Sequence, residues 1–130
     1  MANFNWVEAR HACSLSEIFH TLKEVLKSDV ASANGLKIQD VKFSCKTDAT
    51  NKIIVGRSEV FPSGIAHGRE IIFELLPTEI KVKEGRTDKH LFSAVPNLID
   101  NGECLLEIDG RPYQFWQVSR KALEDLFFGG

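Results

Sequence analysis

The stretch SLSEIFHTLKEVLKSDV (residues 14–30), followed after a short break by VKFSCK (residues 41–46), decides the class of fold. In the first, Leu15, Ile18, Phe19, Leu22, Val25, Leu26 and Val30 recur every three or four residues, while Glu17, His20, Lys23, Glu24 and Lys27 take the other side. That is a helix with one apolar stripe. In the second, Val41, Phe43 and Cys45 alternate with Lys42, Ser44 and Lys46, the period of a strand with one dry face. A helix with a stripe to bury and a sheet with a face to bury satisfy each other by packing together.

Punctuation around these segments sets their ends. Ser14 with Glu17 three residues on predicts a capping box, in which each side chain satisfies the other residue's amide. Asn34-Gly35 supplies a left-handed stop, so the spacing predicts a helix over residues 15–33. Downstream, residues 52–61 carry Ile53, Ile54, Val55, Val60 and Phe61, residues 69–76 carry Ile71, Phe73 and Leu75, and Ile80 and Val82 flank Lys81. All three runs read as strands. Residues 62–68, with two glycines, read as a loop between the first two of them.

Residues 88–101 keep helical spacing at Leu91, Phe92, Val95, Leu98 and Ile99 with Pro96 among them, so a short interrupted helix is expected. Asp109-Gly110 predicts a two-residue hairpin turn that sets Ile108 against Arg111, Leu106 against Tyr113 and Cys104 against Phe115. Ser119 is expected to cap a last helix over 120–128, and residues 3–12 fit either a short helix capped by Asn5 or an extended edge. The sum is a single α+β domain over residues 1–130. It has one antiparallel sheet of about six strands, a meander plus a C-terminal hairpin, with an N-terminal amphipathic helix and a C-terminal helix on one face. This order of elements, helix, strands, short helix, strands, helix, resembles that of small acidic secretion chaperones; no residue motif carries the resemblance.

Charge and composition narrow the function. A net charge of -2 leaves no basic surplus for a phosphate backbone, which argues against nucleic acid as a partner. No run approaches the length of a membrane span, and the N-terminus lacks a basic region followed by a continuous apolar run. Three cysteines, an odd and widely spaced set, suggest reduced thiols, and the cytoplasm is the expected compartment.

Chemical constellations are few. There is no Gly-x-Ser-x-Gly elbow, and His11 with Cys13 is the only close pair of metal-ligand type, so neither catalytic residues nor a metal or cofactor is expected. Cys13, at the N-terminus of the first helix, is a candidate reactive thiol, whereas Cys45 and Cys104 suit the inner face of strands. In the 62–69 segment Gly64 and Gly68 could admit a ligand to the backbone, with His67 and Arg69 supplying a titratable group and a fork of donors for an anion. Trp116, pointing away from the Tyr113 and Phe115 face alongside Leu105, and the adjacent Phe127 and Phe128 predict an apolar contact patch. The leading expectation is a small non-catalytic domain that binds another protein, of chaperone, adaptor or immunity type, or a second copy of itself. The alternative is a small-molecule binder or enzyme with its site near residues 62–69.

Overall fold

A computed structural model describes residues 3–129, with His67 described in its backbone only. Helices α1 (Trp6–Ala12) and α2 (Leu15–Gly35) come first, then seven strands, then helix α3 (Phe115–Phe128). The strands are β1 (Val41–Asp48), β2 (Lys52–Phe61), β3 (Gly64–Leu75), β4 (Ile80–Glu84), β5 (His90–Leu98), β6 (Cys104–Ile108) and β7 (Arg111–Tyr113). They form one antiparallel sheet in which every strand neighbours the next in sequence. The expected α+β meander is therefore the observed fold, with seven strands.

The alternation read from the sequence governs the packing. Phe43, Ile53, Val55, Ile71, Phe73, Ile80, Val82, Phe92, Ala94, Leu106 and Ile108 face the helices, where they meet Ile18, Leu22, Leu26 and Val30 of α2 and Val118, Leu123 and Leu126 of α3. Leu22, Leu26, Phe73 and Val82 have no exposed surface, and each such burial contributes about 2 kcal/mol. Among the described residues α2 and α3 both pack on this one face of the sheet.

Helix α2 reaches from β6 to β1 across the sheet and is pinned at both ends. At its start, Cys13 is disulfide-bonded to Cys104, the first residue of β6, with Cα atoms 5.5 Å apart. Near its end, the Asn34 amide donates from Nδ2 to the Phe43 carbonyl and accepts at Oδ1 from the Phe43 N–H, both at 2.9 Å. Asn34 thus does for edge strand β1 at Phe43 what a neighbouring strand would do.

Several expectations are corrected. The three thiols are not all free: an odd count excludes only complete pairing, and residues 91 apart in sequence meet because the α1–α2 junction lies over β6. Ser14 is the N-cap of α2, but its hydroxyl is buried without a partner among the described residues, so no capping box forms. The left-handed residue after α2 is Lys37 (φ 53°), while Gly35 stays helical. Residues 90–98 are strand, because Phe92 and Ala94 alternate into the core and Pro96 lies past the end of β4, where its missing N–H interrupts no ladder on that side. The middle helix disappears, and with it the resemblance in element order to secretion chaperones.

At the hairpin, Asp109 (φ 52°) and Gly110 (φ 78°) make the expected turn, with Ile108 opposite Arg111 and Leu106 opposite Tyr113. The strand stops there, so Phe115 begins α3 instead of pairing with Cys104. The cap of α3 is Gln114, whose N–H donates to Gln117 Oε1 at 2.8 Å, and Ser119 sits inside the helix. Residues 6–12 take the helical alternative, with Asn5 Oδ1 accepting from the Glu8 N–H. Helix α1 has no buried residue of its own; the Phe4 ring before it lies so close to Gly102 that a Cβ there would overlap it.

Candidate functional site: the groove between α2 and α3

Helix α3 is held from three directions. Ser119, 2% exposed, donates its hydroxyl to Asp29 Oδ2 of α2 at 2.6 Å. Phe127 packs edge-on against Phe43 of β1, ring centres 4.8 Å apart. The C-terminal end is clasped by two arginines from the sheet: Arg57 Nη1 donates to the carbonyls of Leu126 (3.0 Å) and Gly129 (2.9 Å), and Arg69 reaches the carbonyl and carboxylate of Asp125. Cations at that end offset the helix dipole and satisfy carbonyls that have no partner within the helix.

A bulge puts both arginines there. Between the pairs Gly56–Glu70 and Ser58–His67, the single residue Arg57 of β2 faces both Gly68 and Arg69 of β3. The strands approach so closely that a Cβ on Gly68 would lie 2.8 Å from the Arg57 carbonyl oxygen, so glycine is required for backbone packing. Gly64 follows the Pro62-Ser63 turn at φ 143°. The 62–68 segment is therefore mostly strand: β2 and β3 run on as a long hairpin past the bulge.

Between α2 and α3 lies a groove of about 580 Å³. Its floor includes Ala33, Leu123 and Phe127; Leu36 stands on the α2 side, and Trp116, Arg120, Glu124 and Phe128 form the α3 wall. Leu36, Trp116 and Phe128 are 62%, 53% and 65% exposed, which is high for side chains of this size on one contiguous surface. Trp116 is also oriented, its indole N–H donating to Gln114 Oε1 at 2.8 Å.

The residues singled out from the sequence are dispersed. Trp116 and Phe128 share the groove. Phe127 belongs to the core, and Leu105 lies opposite Asn97 on the sheet face away from the helices, so Leu105 and Trp116 are on different sides of the molecule. Arg69 sends its guanidinium to α3, and the side chain of His67 lies outside the described residues. A second concavity of about 320 Å³ opens on the sheet face away from the helices beside Gly68, with Lys42, Lys46, Ile54 and Ile65 on its walls, but Arg69 spends its charge elsewhere. Gly64 is not among the residues lining it. Cys13 is disulfide-bonded and 1% exposed, which removes the candidate reactive thiol.

Cys45 is the free cysteine, and burial pushes its thiol above the ordinary value despite the lowering influence of Lys27 and Lys23. Among the described residues no group of three His, Cys, Asp or Glu side chains converges in a way that could hold a metal ion. No described helix is long and apolar enough to cross a membrane.

Asp29, Leu36 and Arg57 were not singled out from the sequence, and Asn34 and Ser119 were read only as a helix stop and a helix cap. Arg57 had a local signal, a charge that closes the apolar run Ile53-Ile54-Val55-Gly56. Comparison with protein-family models, curated proteins and solved structures finds no match.

Proposed function

We propose that this chain is a protein-binding module whose contact surface is the α2–α3 groove. The observation that carries the reading is the exposure of Trp116 and Phe128, on an α3 wall fixed by the Ser119–Asp29 bond and the two arginine clasps, facing Leu36 across an apolar floor. Large apolar groups held rigidly in water are the usual anchors of a protein interface, because ordering them on binding costs little further entropy. The groove is open to solvent rather than an enclosed pocket, which suits a polypeptide better than a small molecule.

The test is a photo-crosslinking amino acid placed in turn at Trp116, at Phe128 and, as a control on the sheet face away from the helices, at Lys81. Polypeptide products from the first two positions and none from the third support the reading. Absence of any polypeptide product from positions 116 and 128 in the native cell rejects it.

A further inference from the structure

Within α3, Trp116, Arg120, Glu124 and Phe128 are all exposed and follow one another at four-residue intervals, so they form a single ridge along the helix. The order of side chains along this ridge is self-complementary. Read from either end, an aromatic comes first and a charge second, and the two charges are opposite in sign. A two-fold axis through the middle of the ridge would bring Trp116 against the aromatic at the far end of an identical ridge, and Arg120 against the acid.

We propose, building on the binding role of the α2–α3 face, that the occupant of the groove is a second copy of this chain, with two α3 helices packed about such an axis. Ridges built from residues four apart run parallel and interdigitate when two helices cross at about 50°, which would lay the second copy's ridge beside its counterpart at the edge of the α2–α3 groove. A two-fold contact uses the same patch twice, and each interacting pair occurs twice. The ridge meets both demands: Trp116 to Phe128 and Arg120 to Glu124, each in duplicate. Leu36, on the opposite side of the groove, supplies further apolar surface to cover. Within one chain Arg120 Nε already donates to Glu124 Oε2 one turn on, and the guanidinium retains its two Nη groups for an acid on another molecule.

A partner of unrelated sequence would not require the reversed order of charges. That gives a test by charge reversal. Arg120 and Glu124 are both exposed, so R120E and E124R leave the core untouched. Each alone places like charges opposite each other twice; mixed one to one, the two variants restore opposite charges at both places.

Sedimentation equilibrium of the full chain is expected to show twice the 14.6 kDa monomer mass for the parent. Each single variant should show a dissociation constant raised at least about tenfold, with a heterodimer in the mixture and a dimer again in the double variant R120E/E124R. A parent that is monomeric at every concentration overturns the second-copy proposal while leaving the crosslinking result to decide the binding role. A dimer indifferent to both reversals, or a mixture that fails to reassociate, overturns the assignment to this ridge.

Discussion

Ser119 on α3 donates its hydroxyl to the carboxylate of Asp29 on α2 at 2.6 Å, joining the two helices through residues ninety apart in the chain. The bond lies beneath the groove, so it fixes the spacing of the two walls. Removing the hydroxyl in S119A leaves Asp29 half-buried and able to reach water, a loss of about 1 kcal/mol. Removing the carboxylate in D29A strands a hydroxyl at 2% exposure and is expected to be worse, about 2 kcal/mol. Denaturant titration of both single variants and the double variant should give a coupling energy above about 0.5 kcal/mol; strict additivity would mean the bond does not act as a unit.

Asn34 is expected to matter more than its exposed position suggests. Replacing it by Ala removes two hydrogen bonds to Phe43 and uncovers edge strand β1 there, at a loss of about 1–2 kcal/mol. The variant should also aggregate on warming at concentrations where the parent does not. Light scattering during a thermal ramp tests this, and an unchanged aggregation onset would show that the edge is protected in some other way.

Ser14 gives the opposite expectation. An N-cap serine in a capping box loses about 1 kcal/mol when changed to alanine. Here the hydroxyl is buried without a partner, so S14A should be neutral or slightly stabilising. A measured loss near 1 kcal/mol would contradict the orientation of this side chain.

Cysteine chemistry supplies the pH-dependent prediction. Denatured without reductant, the chain should show one thiol, Cys45, and reduction should release two more. In the folded chain burial raises the Cys45 pKa above that of the unfolded chain, so the folded state holds this proton more tightly. The associated stability is present below the ordinary thiol value of 9.0 and is lost as pH rises through the raised value. Alkylation of native Cys45 should accordingly follow a pH profile shifted upward from that of the unfolded chain, and coincident profiles would refute it. Opening the Cys13–Cys104 bond in C13S is expected to lose about 4 kcal/mol, read by denaturant titration.

How much of this was legible in the letters depends on whether the signal was local. The stripe of α2, the alternation of β1 to β4 and the Asp109-Gly110 turn were readable because period and turn chemistry act over a few residues. Residues 88–101 misled because Leu91, Phe92, Val95 and Leu98 match helical spacing as well as a strand whose buried Phe92 and Ala94 are separated by half-buried residues; the pairing with β4 and β6 decided. The start of α3 was hidden because glutamine is an uncommon cap. At the groove, Trp116 and Phe128 stood out by size, yet only the fold could show that Phe127 turns inward onto Phe43 and that Leu105 is on the far side of the sheet. Contacts such as Asp29 with Ser119 have no sequence signature at a separation of ninety residues.

The Cys13–Cys104 link turns the chain into a lasso: a closed ring holding α2 and the first five strands, and a tail that carries the rest of β6, β7 and α3. In the denatured oxidised chain only the ring has lost conformational freedom, so the crosslink's benefit accrues to the helix-over-sheet half and none of it to α3. Opening of the tail alone would therefore not be opposed by the crosslink but only by the contacts that hold α3, and it would bare Leu123, Leu126 and Phe127 together with the sheet surface they cover.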